Sequence, residues 1–399
     1  MTLNFGRSYV AIPGPSVVPE RVLNAMHRAS PNIYEGPLHD LTDTLYPDLR
    51  AIARTENAVA IYIGNGHSAW EASLCNVLSR GDRVLALATG AFGHGWRDAA
   101  AALGARVDLL DFGRRAGIDI DRLADALKTD KSHEIKVVLA THTDTATSVR
   151  NDIAALRTCL DACSHPALLM VDCIASMACD PFEMDLWGVD VAITGSQKGL
   201  MTPPGLSFVW FNEKAAAAHT KADMVTPYWD WAPRVNASEF FRKFDGTAPV
   251  QHLYGLREAL DMLLNEEGLE AVWRRHDLLA RAVWAALDHW GQGGPIEINI
   301  AQEDLRSRAV TSVRIGARHG TDLRRWVEQK TGVTLGIGLG MATEDDPNSD
   351  GFFRIAHMGH VNAHMTLGVL GVIEAGLVAL EIPHGPGGLA AAAAIVAQA

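Results

Sequence analysis

At 399 residues the chain exceeds the size one hydrophobic core usually serves, so a large unit, a smaller one and a cleft between them are expected. The hydrophobic share of 48% and charged share of 21% are those of ordinary globular proteins, and no uncharged apolar stretch is long enough to cross a bilayer. A formal net charge of -12 argues against nonspecific binding to nucleic acid or to an anionic membrane, which needs clustered Lys and Arg.

In chain order, Met1 to Pro15 lacks the basic start, apolar run and cleavage site of a secretory leader, so a cytoplasmic location is expected. From Ala58 to Asn212 short apolar runs alternate with helical patterns. Strands are predicted at Ala58 to Gly64, Val84 to Thr89, Arg106 to Asp111, Lys136 to Thr141, Ala167 to Asp172, Val189 to Thr194 and Leu206 to Phe211. Their Val, Ile and Leu content with little alternation is that of strands buried on both faces, which makes the fold class α/β with a mostly parallel sheet. A long helix is predicted from Gly268 to Trp290, where Val272, Leu279, Val283 and Leu287 share one face. A strand near Val310 to Ile315, a helix from Thr321 that stops before Gly332, a strand at Phe352 to Ala356 and a helix from about Asn362 then form a smaller α+β domain. Leu389 to Val396 reads as a terminal helix or a frayed tail. The expected organisation is an N-terminal arm (1–20), a large domain (21–267), a bridging helix (268–290) and a small C-terminal domain (291–399).

Two strand ends carry the chemistry. The run from Leu168 to Asp172 places an acid where one strand exits, and the run from Val191 to Lys198 places a lysine just beyond another. Ligands of open α/β sheets bind at the carboxyl ends of strands, so Asp172 and Lys198 should face one crevice. Either residue alone also suits a plain role, the Asp as a turn cap and the Lys as a solvated side chain. As a pair they suit pyridoxal 5'-phosphate (PLP): the amine holds the cofactor as a Schiff base, and the carboxylate keeps the pyridine nitrogen protonated so that the ring can accept electrons. The turn Gly64-Asn65-Gly66-His67 follows a strand and opens a helix, offering backbone N–H groups and the positive end of the helix dipole to a phosphate.

Several strings resemble one family over nearly the whole chain. They are Pro13-Gly14-Pro15-Ser16, the Gly-Asn-Gly-His turn, Val171-Asp172-Cys173-Ile174-Ala175-Ser176 and Gly195-Ser196-Gln197-Lys198 followed by Pro203-Pro204-Gly205. Thr247-Ala248-Pro249-Val250 and Phe353-Arg354-Ile355-Ala356-His357-Met358-Gly359 complete the set. In this order they resemble the class V PLP-dependent aminotransferases of fold type I, specifically the alanine/serine-glyoxylate group. The resemblance implies that Lys198 is the Schiff-base lysine and Asp172 the pyridinium partner. It implies that Asn65, Gly66, His67 and Gln197 hold the phosphate, with Thr247 reaching the phosphate of a neighbouring subunit in a homodimer. Phe92 falls where an aromatic ring stacks on the cofactor, Thr145 where a hydroxyl approaches the ring oxygen, and Ser176 also at the cofactor. Arg354 would clamp the substrate α-carboxylate, with Pro15 and Tyr34 on the substrate side.

The implied reaction is ping-pong transfer of an amino group from a small amino acid, serine, alanine or aspartate-like, to glyoxylate. The sequence departs from the family at Phe244, where an aromatic hydroxyl is common, at Asn65, usually serine, and at Asn32 to Gly36, which lacks an Asp-His-Arg type of string. That loop and Ala91-Phe92-Gly93 also resemble pyridoxamine–pyruvate enzymes, in which Lys198 would bind pyridoxal as a substrate. A non-catalytic PLP-binding protein and a desulfurase-like lyase are further alternatives.

Other signals read as structural. Cys75, Cys159, Cys163, Cys173 and Cys179 are odd in number without a C-x-x-C spacing, so they are expected as buried thiols of a reducing compartment. His357, His360 and His364 straddle a strand-to-helix transition, and no metal site is expected there. Tyr228 to Trp231 is read as core or interface packing. Arg242 and Lys243 either add charge toward the phosphate or face solvent.

Overall fold

A computed structural model describes residues 2–343 and 345–399. Its strands are β1 (Tyr9–Ala11), β2 (Ala58–Gly64), β3 (Arg83–Ala88), β4 (Arg106–Asp111), β5 (Ile135–Thr141), β6 (Thr143–Asp144) and β7 (Val149–Arg150). β8 (Leu168–Asp172), β9 (Val191–Gly195), β10 (Gly205–Phe211), β11 (Glu297–Ile298), β12 (Val310–Arg314), β13 (Val333–Ile337) and β14 (Phe352–Ala356) follow. Seven of them form one sheet in the order β2-β10-β9-β8-β5-β3-β4. Only β10 runs against its neighbours. The other pairs in that sheet are parallel.

Both faces of this sheet are buried, and side chains alternate between them as the period of a strand requires. Leu169 and Val171 enter one apolar cluster with Leu85, Leu87 and Phe208. Leu168 and Met170 enter another with Val84, Ile193 and Val209. The predicted α/β class is the observed one, and the strand positions agree to within two residues.

A second sheet of order β1-β13-β14-β12-β11 surrounds a separate cluster that includes Leu287, Val313, Phe353 and Ile373. Three of its strands, β1, β11 and β13, have no counterpart in the sequence expectations. β13 follows directly on the helix His319–Thr331, and β1 is only three residues long and pairs parallel to β13, with Ala11 opposite Leu335. This pairing ties the first residues of the chain to the second sheet. The long helix, Leu269–Gly291, runs between the two regions after Gly268, whose φ of 83° suits glycine.

Three elements then point at one edge of the large sheet. β2, β9 and β8 all end there, because β2 and β9 are both antiparallel to β10 and β8 is parallel to β9. The turn after β2 opens the helix Gly66–Cys75, capped by the Asn65 side chain. β14 places Arg354 beside Gly336 of β13.

Candidate active site

Asp172, the last residue of β8, is 3% exposed. Its Oδ1 accepts the Ile174 N–H at 2.7 Å and its Oδ2 the indole N–H of Trp70 at 2.8 Å. Burial raises its carboxyl to about 6, against the pull of those two donors. Lys198 follows β9, the neighbouring strand, and is 9% exposed. Burial and the Arg354 charge lower its amine to about 8, opposed by Asp172.

The lysine is covered by the N-terminal segment. Its Nζ donates to the Pro13 carbonyl, the Ser16 hydroxyl donates to the Lys198 carbonyl at 2.7 Å, and the Ser16 N–H donates to the Gln197 carbonyl at 2.9 Å. Gly14, at φ 111°, lies directly against the lysine: a Cβ there would sit 2.4 Å from Nζ. Pro15, the predicted substrate-side residue, follows it at the surface.

The phosphate turn and the lysine loop meet. A Cβ on Gly195 would lie 2.8 Å from Gln197 Oε1 and 3.4 Å from the Gly66 nitrogen. Asn65 and His67 are exposed, Gly66 is buried, and the Asn65 side chain accepts the His67 N–H at 3.0 Å. Gln197 Oε1 and the Ser176 hydroxyl are buried without a hydrogen-bond partner among the described residues. Phe92 stands edge-on to Trp70 at 6.3 Å between ring centroids.

Arg354 is 5% exposed, and its guanidinium donates to the carbonyls of Ile337 at 2.7 Å and Thr145 at 2.9 Å. Thr145 is thereby tied to Arg354 as well as to the end of β6. Burial lowers the Arg354 guanidinium to about 10, a shift countered by the nearby Asp144 charge.

Three residues of this site were given no role in the sequence expectations. Ser16 fastens the lysine loop. Trp70 holds Asp172. Asp144, fully buried, accepts the N–H groups of Phe92 at 2.9 Å and Gly93 at 3.1 Å, and so caps the helix Ala91–Leu103 that its own N-cap, Gly90, leaves open. The strand-end rule that found Asp172 would also have found Asp144, an acid just past the end of β5 and adjacent to Thr145.

Two predicted residues lie elsewhere in the chain. Tyr34 is 87% exposed and lines a 510 Å³ cleft with His39, Phe240, Phe241 and Gly246. Thr247 is exposed beside that cleft. No hydrogen bond among the described residues links either to Lys198, Asp172 or Arg354. Phe244 is fully buried, packed edge-on against Phe240. The nearby cations are engaged, Lys243 by Asp43 and Arg242 by Glu239. His357 is bonded to the Thr311 hydroxyl and the Arg308 carbonyl, and Trp231 stacks on Phe211 at 4.0 Å. Four cysteines are buried and Cys163 is partly so.

Comparison with known proteins shows the family. A serine–glyoxylate aminotransferase of Arabidopsis thaliana is 36% identical over 92% of this chain and 90% of its own length. An L-aspartate–glyoxylate aminotransferase of Paracoccus denitrificans is 36% identical over 94% of this chain and 92% of its own. Among solved structures, pyridoxamine–pyruvate aminotransferase from Mesorhizobium loti superposes with a TM-score of 0.88 at 26% identity, covering 100% of both chains. Residues 9–363 match the Aminotransferase class-V family. The chain belongs to that family and is an aminotransferase of fold type I whose cofactor is pyridoxal 5'-phosphate.

Proposed function

We propose that the chain transfers the amino group of a small amino acid, serine, alanine or aspartate-like, to glyoxylate by a ping-pong reaction, as a cytoplasmic homodimer with shared active sites. The observation that carries the reading is the buried Lys198 amine, on which the charges of both Arg354 and Asp172 act. The glyoxylate enzymes among its relatives, acting on serine and on L-aspartate, support the same substrates here.

The residues fit the cofactor. A buried carboxylate that none of the ion pairs among the described residues engages suits a protonated pyridine nitrogen, and the orphaned Ser176 hydroxyl is free to donate to a cofactor oxygen. Bound PLP supplies an electron sink and the carbon that carries the amino group.

In this reading Lys198 holds the cofactor, and its freed amine then moves the proton at the substrate Cα. An amine near 8 suits that work, because it is neutral often enough at physiological pH to attack or to accept a proton. Asp172 holds the proton on the ring nitrogen. Asn65, Gly66, His67 and Gln197 hold the phosphate at a helix N-terminus, where the dipole favours an anion. Phe92, Thr145 and Ser176 would line the cofactor, Phe92 with its ring and the other two with their hydroxyls. Arg354 clamps the α-carboxylate; its plane is fixed in advance by the Ile337 and Thr145 carbonyls, so little freedom is lost when substrate binds. The segment Pro13–Ser16 keeps water from the amine.

Tyr34 and Thr247 complete the site of the partner subunit. Their shared exposed face, which no hydrogen bond among the described residues joins to the Lys198 of their own chain, supports that assignment. We assign the arm (1–20), large domain (21–267), bridging helix (268–290) and small domain (291–399) as the units between which the substrate binds.

The likeness to pyridoxamine–pyruvate aminotransferase favours a second reading, in which Lys198 engages pyridoxal as a substrate. A panel of serine, alanine, aspartate and pyridoxamine against glyoxylate, pyruvate and oxaloacetate separates the two. Glycine formed from glyoxylate with one of the amino acids is expected. Turnover of pyridoxamine with pyruvate alone would replace the first reading by the second.

A further inference from the structure

Asp172 has two hydrogen-bond donors among the described residues, and they differ in kind. The Ile174 N–H belongs to the turn that follows the strand and persists whatever the side chains are. The other donor is an indole on a different element, the helix Gly66–Cys75. That helix carries the phosphate turn at its first residues and Trp70 one turn further on. Trp70 is itself held: it is 3% exposed, packs edge-on against His67 at 4.5 Å, and has Gly95 so close that a Cβ there would lie 2.9 Å from its ring.

We propose that Trp70 is a positioning residue for the cofactor, its indole N–H fixing the Asp172 carboxylate toward the pyridine nitrogen while its helix presents the phosphate turn. The proposal rests on the PLP-dependent reading above. One rigid helix then sets the separation between the phosphate anchor and the ring-nitrogen anchor. Phenylalanine at this position would keep most of the packing but leave Oδ2 of a buried carboxylate without a donor, which favours the protonated acid.

Charged and titratable groups face Asp172 from each neighbouring element. Lys198 beyond β9 favours the ionised form, Asp144 beyond β5 disfavours it, and the adjacent Cys173 thiol is held protonated by burial. His67 lies against the indole itself. None of these substitutes for the lost donor.

The test uses holoprotein reconstituted with PLP. For Trp70→Phe, the acid-side midpoint of the bound-cofactor absorbance should move up by about one pH unit relative to wild type. The PLP dissociation constant at neutral pH should rise about tenfold. In an Asp172→Asn background the same substitution should move neither quantity. If Trp70→Phe does not fold, Trp70→Leu, whose side chain also has no hydrogen-bond donor, is read in the same way. A variant with the wild-type midpoint and affinity overturns the proposal. Wild-type protein that takes up no PLP would instead overturn the functional reading on which it rests.

Discussion

The ε-amine of Lys198 donates a hydrogen bond to the carbonyl oxygen of Pro13, 185 residues away in the chain, and Gly14 lies flat against the same side chain. The pairing of β1 with β13 aims Pro13 at the lysine. The amine is thus pinned by an element of the second sheet while its own backbone belongs to the first.

Gly14→Ala should therefore damage cofactor attachment more than the fold. The added methyl would lie 2.4 Å from Nζ, and φ 111° disfavours any side chain. We expect PLP occupancy to fall at least tenfold while the apo protein still unfolds cooperatively, as absorbance and circular dichroism can show. Full occupancy would mean that Lys198 leaves Pro13 without hindrance.

Arg354→Leu should raise KM for every carboxylate substrate by about 100-fold, the scale of losing a bidentate charged contact. Arg354→Lys should recover only part of this, because an ammonium cannot match the carboxylate with two parallel bonds. Steady-state kinetics with each donor and acceptor checks both. An unchanged KM in the leucine variant removes Arg354 from the site.

The rate of PLP uptake by apo protein should depend on pH in a way that exposed lysines do not reproduce. The attacking form is the neutral amine. With its folded-state value lowered from 10.5 to about 8, uptake should climb about tenfold per pH unit below that point and level off above it. A rate still rising steeply toward pH 10 would place the reactive amine on an ordinary exposed lysine.

The shared-site reading makes a prediction about mixtures. Lys198→Ala protein cannot attach cofactor, and Thr247→Ala protein should bind it about tenfold more weakly. In a mixed dimer one site carries both defects and the other carries neither. Mixing the two proteins at limiting PLP should restore activity that neither has alone. No restoration under conditions where subunits exchange would place Thr247 in its own chain's site or in none.

How much was legible in the sequence follows from where each contact lies in the chain. Asp172 and Lys198 announce themselves because each ends its own strand, and the Gly-Asn-Gly-His turn because phosphate-binding geometry is local. Trp70 could not be read that way. It looks like any apolar helix residue, and its meaning is a bond to a carboxylate on another strand. Asp144 lies within reach of the strand-end rule, but its capping of a helix far upstream is a long-range contact that no local pattern shows. Strand direction was also silent: β10 is buried on both faces like its parallel neighbours, and burial pattern does not encode orientation. β1 is too short to show a period. Tyr34 and Thr247 are legible only through the family resemblance, because periodicity and burial within one chain give an exposed residue no role.

The central claim is that Lys198 carries the cofactor. Borohydride reduction of PLP-loaded protein, followed by proteolysis and mass spectrometry, tests it directly. The account predicts the reduced phosphopyridoxyl group on the peptide containing Lys198 and on no other, and none in the Lys198→Ala variant. Label on a different lysine, or undiminished labelling in that variant, would contradict it.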